Sequence, residues 1–345
     1  MKNILITGIT GQDGAYLAKL LLDKGYKVFG LYRRTSTPNF WRLLSLGIRD
    51  KINLIPGDMT DMASIINAVI QSEPDEIYNL AAQSFVGTSF EQPLVTAHVD
   101  GLGPLMFLEA VKQINPKIKI YHASTSELFG ICRGTDPEKV GAFNENSIFW
   151  PVSPYAASKL FAFHQIRIYR EAYGMFAVNG ILFNHESPLR TLQFVTRKIS
   201  NALAQIKLGL QEKVTLGNLE AKRDWGYAPE YVEAMWLMLQ QPKPDDFVIA
   251  TGETHSIREF LESACNCVDL DWRDMAVISE KLKRPLEVNY LLGDASKAKK
   301  KLGWYPKTKF KELVKIMVQA DLQRWQSYLN GKIFPWDAIN DPGAY

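Results

Sequence analysis

The chain has 345 residues, 46% hydrophobic and 22% charged, a balance that excludes a disordered or fibrous protein and fits a soluble globular one. Its formal charge of +3, with basic residues scattered apart from KKK at 299–301, excludes the footprint of a nucleic-acid binder. Cys132, Cys265 and Cys267 supply neither a disulfide framework nor a zinc ligand set, and no apolar run approaches bilayer-spanning length, so neither a metal nor a membrane is expected.

The first half alternates apolar strands with amphipathic helices. NILIT (3–7) reads as a strand that starts at once, leaving no room for a signal peptide, and predicts a cytoplasmic protein. It runs into TGITGQDG, where Gly8, Gly11 and Gly14 let the backbone turn tightly and approach a pyrophosphate. The helix AYLAKLLLDKG follows, with Gly25 as its stop. A second strand, YKVFGLY (26–32), ends in Arg33 and Arg34 with no acid from 31 to 37. An acid there would accept from a ribose 2′-hydroxyl, whereas two guanidinium groups suit a 2′-phosphate, which favours NADP over NAD. After the third strand, INLIP (52–56), Asp58 has two readings: an acceptor for the adenine amino group, or the N-cap of the next helix.

DEIYNLA (75–81) and KIKIYHA (117–123) are further strands, separated by the helical LGPLMFLEAVKQ. The latter strand ends by crowding Ser124, Thr125, Ser126 and Glu127 together. SPYAASKLFAF then places Tyr155 and Lys159 four apart on one helical face. An ammonium near a phenol would lower the phenol's pKa and let it move a hydroxyl proton near neutral pH. FAVNGILF (176–183) is the sixth strand. Short strands with little alternation, each followed by a helix, predict an α/β fold: a Rossmann-type doubly wound parallel sheet covered on both faces. Beyond about residue 184 the pattern loosens into helical VTRKISNALAQIKLG and PEYVEAMWLMLQQ, the strand FVIATG, and a closing helix, FKELVKIMVQADLQRWQSYL. The expected division is a nucleotide-binding domain over 1–184, carrying the catalytic residues, and a smaller α/β substrate-binding lobe over 185–345 with segments returning to the sheet.

A glycine loop, a strand ending in Ser/Thr and Tyr-x-x-x-Lys together resemble the extended short-chain dehydrogenases/reductases, in which Ser or Thr, Tyr and Lys form the hydride-transfer triad. YNLAAQSFV, HASTSELFG, SPYAASK, GILFNHESP, FVTRKI, LGNLEAKRDWGYAPEYVEAMWLML, FVIATGETHSIREF and RPLEV, in that order, look like successive blocks of the GDP-mannose 4,6-dehydratases. The resemblance implies that Thr125, Glu127, Tyr155 and Lys159 are catalytic, with Lys159 also on the nicotinamide ribose. It implies NADP contacts from Gly8, Thr10, Gly11, Gln12, Asp13 and Gly14, from Arg33, Arg34, Asp58 and Met59, from Leu80, Ala82 and Ser84, and from His185 and Arg190. Ser84, Ser126, Asn184, Lys198, Arg223, Arg284 and Glu287 would hold a GDP-sugar.

The implied reaction is oxidation at C4 by Tyr155, elimination of water across C5 and C6 by Glu127, and hydride return to C6, giving a 4-keto-6-deoxy sugar. Related dehydratases carry Thr-Asp-Glu at the strand end; Ser126 stands in place of the Asp, so Glu127 would serve as both base and acid. Phe85 replaces a histidine and Leu189 an arginine of the family pattern, and the DMAVISEKLKRPLEV segment is shorter than usual. These departures leave GDP-mannose and a GDP-manno-heptose both open as substrate. A nucleotide-sugar 4-epimerase or 4-reductase would share the triad but has no need of Glu127, and a non-catalytic NADP sensor would not need Tyr155 and Lys159. By the same resemblance RRTST at 33–37 implies a homotetramer built as a dimer of dimers.

Overall fold

The computed structural model describes residues 1–36, 39–130, 141–282 and 285–332. The strands β1 (Asn3–Thr7), β2 (Lys27–Tyr32), β3 (Asn53–Pro56), β4 (Glu76–Asn79), β5 (Lys119–Thr125) and β6 (Ala177–Leu182) pair side by side, all parallel, in the order 3-2-1-4-5-6. Ile4, Leu5 and Ile6 are fully buried, which explains an apolar run without alternation: both faces of the strand are covered. Strand order reverses between β1 and β4, and there the strand ends splay to leave a crevice.

The connecting helices cover the two faces. α1 (Gln12–Asp23) lies on one face; α2 (Trp41–Ser45) follows β2, and α3 (Met62–Ser72) lies on the other face. α4 (Val86–Glu91) and α5 (Pro93–Thr96) lead through a π-helical turn (Ala97–Leu102) into α6 (Gly103–Ile114), which packs with α3 and with α7 (Pro154–Tyr173). By length and composition the 22 residues Pro93–Ile114 could cross a bilayer, contrary to the sequence expectation. The pattern of α6 alone stops short; the π-turn joins it to α5 as one run. Half of that run's apolar window is buried, with Phe107, Leu108 and Val111 in the core beneath α3.

The second half supplies short strand pairs, further helices and the seventh strand. β7 (Asn184–Glu186) and α8 (Val195–Lys207) precede β8 (Val214–Leu216), β9 (Lys222–Arg223), β10 (Trp225–Tyr227) and α9 (Ala228–Leu239), which covers α1. β11 (Phe247–Ile249) returns to the large sheet beside β6, and at that outer position the Val248 N–H donates to Glu145 Oε1 at 2.7 Å. Then come β12 (His255–Ser256), α10 (Ile257–Asn266), α11 (Trp272–Met275), β13 (Ala276–Ile278), α12 (Ser296–Leu302) and α13 (Phe310–Leu329). β10 pairs with β7, β12 with β9 and β13 with β8. Lys299, Lys300 and Lys301 are exposed on α12. Burial pushes the Cys265 thiol up to about 12, Cys267 is exposed, and Cys132 lies outside the described residues.

α8, α10 and α13 enclose a separate apolar core around Leu203, Phe260 and Met317. One ion pair crosses it. Arg197 on α8 is 1% exposed and grips both oxygens of fully buried Asp321 on α13 at 2.8–2.9 Å, while Ser200 Oγ donates to Asp321 at 2.6 Å. Arg324 also reaches Asp321, at 3.0 Å, so removing Asp321 would leave the buried Arg197 without its counter-ion, which costs about 3–5 kcal/mol. Asp321→Ala is therefore expected to lower unfolding free energy by about that amount, measured by urea denaturation; a loss within the noise of the measurement would mean the pair contributes nothing net.

Candidate active site

The crevice at the strand-order reversal opens into a cavity of about 780 Å³, the size of a cofactor-and-substrate chamber. Its floor is the loop between β1 and α1. Gly8 has φ +67°, and a Cβ there would sit 2.8 Å from Ala81 N. A Cβ on Gly14 would sit 2.4 Å from Gly8 O, so helix and loop approach as closely as backbone allows. Gly11, the N-cap of α1, offers no side chain, and the first N–H groups of the helix face the chamber. A cradle that any Cβ would fill, ending on an uncapped helix N-terminus, fits a dinucleotide pyrophosphate. Thr10, Gln12, Leu80 and Ala82 line the same end, and Ser84 stands at its exposed rim.

The strand-tip cluster is buried, not solvated. Thr125, Ser126 and Glu127 are 8%, 2% and 8% exposed, because the chain turns from β5 into a 3-10 turn in which Thr125 Oγ1 accepts the Glu127 N–H at 3.2 Å. α7 starts beside it. Ser153 caps the helix by accepting the Ala156 N–H at 3.1 Å, Pro154 opens the first turn, and Tyr155 and Lys159 point inward. Tyr155 and Thr125 both line the chamber beside this turn.

The expected lowering of the Tyr155 pKa does not occur in the protein alone. Burial, then the negative charges of Asp100 and Glu127, push the phenol up. Lys159 is not among the groups that act on the phenol; its ammonium donates to Ala123 O at 2.9 Å, and burial lowers its own pKa. Asp100 is a residue the sequence reading missed. It sits fully buried in the π-turn, accepts the Gln83 N–H through Oδ1 at 2.7 Å, and leaves Oδ2 without a hydrogen-bond partner. Burial pushes it up to about 6 against the opposing charge of Lys159. A lone acid in the apolar stretch AHVDGLGPLMF was the available signal.

Asp13 and His185 come together with each other. His185 Nε2 is 2.8 Å from Asp13 Oδ2, and Nδ1 is 2.8 Å from Phe183 O. Both partners only accept, so both ring nitrogens donate and the ring is an imidazolium. Gln12 Nε2 ties the pair by donating to Asp13 Oδ1 at 3.0 Å and to His185 O at 3.1 Å. Arg190 lies nearby, 3.2 Å from Glu186 and 3.7 Å above the Phe194 ring.

Arg33 and Arg34 are exposed past the end of β2, outside the lining of the chamber. Asp58 is not the cap of α3: Asp61 is, accepting from Ala63 and Ser64 N–H, while Asp58 Oδ1 accepts from Thr60 N and Oγ1 at 2.9 and 2.7 Å. Met59 is buried against Gly103 at the start of α6 and does not line the chamber.

The far end of the chamber carries Asn184, Lys198, Arg223 and Glu287. Lys198 on α8 has no hydrogen bond or ion pair from its ammonium among the described residues, and burial lowers its pKa, the condition of a cation awaiting an anion. Arg223 Nη2 is 3.1 Å from Glu287 Oε1, so these two are partners of one another. Asp224, also missed, is fully buried and accepts from Thr251, Gly252 and Gly293, fixing this wall. Arg284 lies outside the described residues.

A parallel sheet with a glycine cradle at its reversal point, and Thr, Tyr and Lys converging beside it, defines a protein of the short-chain dehydrogenase/reductase class. The sequence profile described as GDP-mannose 4,6 dehydratase matches residues 5–317. The chain is 52% identical over 332 residues to GDP-mannose 4,6 dehydratase 1 of Arabidopsis thaliana, covering 93% of this chain and 90% of that one. It is 49% identical over 345 residues to GDP-mannose 4,6 dehydratase of Homo sapiens, covering 92% and 91%. The crystal structure of dTDP-glucose 4,6-dehydratase from Bacillus anthracis in complex with NAD is similar in fold, with TM-score 0.81 at 20% identity over 96% of this chain and all of that one. The chain belongs to the GDP-mannose 4,6-dehydratase family.

The Asp13–His185 pair makes stability depend on pH. Burial opposes charge on both, yet the attraction between them raises His185 from its ordinary 6.5 and lowers Asp13 from its ordinary 3.8. The raised histidine stabilises fully below 6.5 and loses its contribution as pH climbs through its folded value; the lowered aspartate stabilises above 3.8 and loses its contribution as pH falls through its own. The melting temperature of the wild type should thus fall more steeply than that of His185→Gln as pH rises from 6.5 into the alkaline range. Parallel pH profiles would show that the pair carries no such linkage.

Proposed function

We propose that the protein is an NADP-dependent GDP-sugar 4,6-dehydratase, converting GDP-mannose or a GDP-manno-heptose to its 4-keto-6-deoxy derivative and water. The observation that carries the reading is the buried Glu127 carboxylate in the same chamber as Tyr155 and Lys159. A 4-epimerase or 4-reductase needs only the triad, and burying a carboxylate without use is costly. Arg33 and Arg34 would reach the 2′-phosphate, the Gly8–Gly14 cradle the pyrophosphate, and Lys198, Arg223, Arg284 and Glu287 the GDP.

A bound NADP⁺, held by the Gly8–Gly14 cradle and Lys159, would supply a hydride acceptor for C4 and a donor for C6. Tyr155 takes the C4 hydroxyl proton as C4 is oxidised, and Thr125 orients the phenol. The ketone acidifies the C5 proton, which Glu127 removes; the C6 hydroxyl then leaves as water with the proton Glu127 has gained. The hydrogen lost from C4 would return to C6 while Tyr155 gives C5 the proton it took from the C4 hydroxyl, so that cofactor, Tyr155 and Glu127 all end the cycle as they began. The Phe85–Phe194 edge-to-face pair, with centroids 5.8 Å apart on the chamber wall, stands where the family pattern has histidine at one position, and it keeps the heptose open.

In this reading residues 1–184 bind the cofactor and carry the chemistry, residues 185–345 form mainly the substrate lobe, and the protein works in the cytoplasm as a tetramer of paired dimers. Exposed Leu94, Val95, Leu102, Phe161 and Ile168, on α5, the π-turn and α7, supply apolar surface for subunit contact. Light scattering at micromolar concentration should give four times the chain mass; a monomer would remove the tetramer from the proposal.

The division of labour is testable by single turnover. Glu127→Gln should still reduce bound NADP⁺ with substrate, seen as absorbance of the reduced nicotinamide, yet release no dehydrated product by mass spectrometry. Tyr155→Phe should lose about 10²–10⁴-fold in that first step. Running GDP-mannose and GDP-manno-heptose in parallel assigns the sugar. Wild-type turnover by Glu127→Gln would sink the elimination role.

A further inference from the structure

Arg42 on α2 has no role in the chemistry above, yet it is 6% exposed and all three of its guanidinium nitrogens are engaged. Nη1 donates to Thr10 O at 3.0 Å, Nε to Leu189 O at 2.7 Å, and Nη2 to Thr191 Oγ1 at 3.1 Å, while the group lies 4.2 Å over the Trp41 ring. Thr10 belongs to the glycine cradle; Leu189 and Thr191 flank Arg190 on the opposite wall. The peptide between Thr10 and Gly11 is thereby pinned at both ends, because the Gly11 N–H donates to Gly8 O at 2.9 Å. In a planar trans peptide the C=O and N–H point opposite ways, so holding both fixes the plane. That plane immediately precedes the first N–H groups of α1. Arg197 holds the neighbouring carbonyls of the facing loop, Pro188 O at 2.7 Å and Arg190 O at 2.9 Å, so Arg42 braces the cradle against a wall that is itself anchored.

We propose that Arg42 is a positioning residue for dinucleotide binding: it sets the cradle peptide and the wall bearing Arg190 at one fixed separation, leaving the GDP end of the chamber untouched. The inference rests on the nucleotide-binding role proposed above for the Gly8–Gly14 loop. A lysine cannot replace it, since one ammonium on a flexible stem does not reproduce a rigid fork spanning three acceptors on two segments.

The test uses full-length enzyme stripped of nucleotide and titrated calorimetrically with NADP⁺ and, separately, with GDP. Arg42→Lys should raise the NADP⁺ Kd by about 10–100-fold, as expected for losing charge-assisted hydrogen bonds. Its GDP Kd should stay within about twofold of wild type. Thr191→Val, which deletes one of the three contacts and leaves the arginine in place, should raise the NADP⁺ Kd by about two- to tenfold with GDP unchanged. An unchanged NADP⁺ Kd in both variants overturns the proposal. So does a GDP Kd and ligand-free melting temperature that deteriorate in step with NADP⁺ binding, because that pattern belongs to a general tie in the fold. Should the wild type bind NAD and not NADP⁺, the cofactor assignment fails and the same comparison is made with NAD; a wild type that binds neither overturns both.

Discussion

The site depends on one hydroxyl. Thr7 ends β1, donates to Asn79 Oδ1 at 2.7 Å, and accepts the Leu80 and Ala81 N–H groups at 3.1 and 3.0 Å. β1 and β4 diverge where their crossover connections leave in opposite directions, and this hydroxyl keeps their ends from parting. The clamp explains why Gly8 must be a glycine: Ala81 is held so near that no Cβ fits, and φ +67° is forbidding to most side chains. It also reaches toward the chemistry, since Asn79 Nδ2 is 3.2 Å from His122 Nδ1 on β5, three residues before Thr125.

Much of the sheet was legible because burial on both faces leaves an apolar run that no helix period can imitate. NILIT coincides with β1 and the closing helix with α13 to the residue, while β4 and β5 shift by a few residues at their ends, where hydrogen bonding and not hydrophobicity decides. Tyr155 and Lys159 were legible as a pair because helical spacing is local. What was not legible is long-range. Asp13 and His185 each read as a polar contact for a cofactor, and nothing within either block says that the other will satisfy it. Nothing in VTRKIS marks Arg197, and only the packing of α8 on α13 shows it burying a charge against Asp321. Asp58 read as a cap of the helix after β3, but the chain runs three residues further before the helix starts, and Asp61 takes that place.

Electrostatically the chamber is divided. Around the phenol the charges are Asp100 and Glu127, with Lys159 occupied by a backbone carbonyl; toward the far end stands Lys198 with a lowered pKa and no partner among the described residues. Burial favours the uncharged phenol in the first region, while an ammonium without a partner favours an anion in the second. Asp13–His185 beside the cradle and Arg223–Glu287 at the far end each pair opposite charges on the cavity walls.

The carboxylate of Glu145 has a consequence beyond the fold it caps. An open parallel sheet presents a row of unpaired backbone donors and acceptors along each outermost strand, a template on which another chain can add a strand. At one margin Glu145 occupies the Val248 donor of β11, a strand of only three residues. At the other, β3 is four residues long and ends in Pro56, which has no N–H to offer. Short and partly blocked margins work against sheet-to-sheet growth between copies, the open-ended contact that runs on as a fibre instead of closing on a fixed number of subunits.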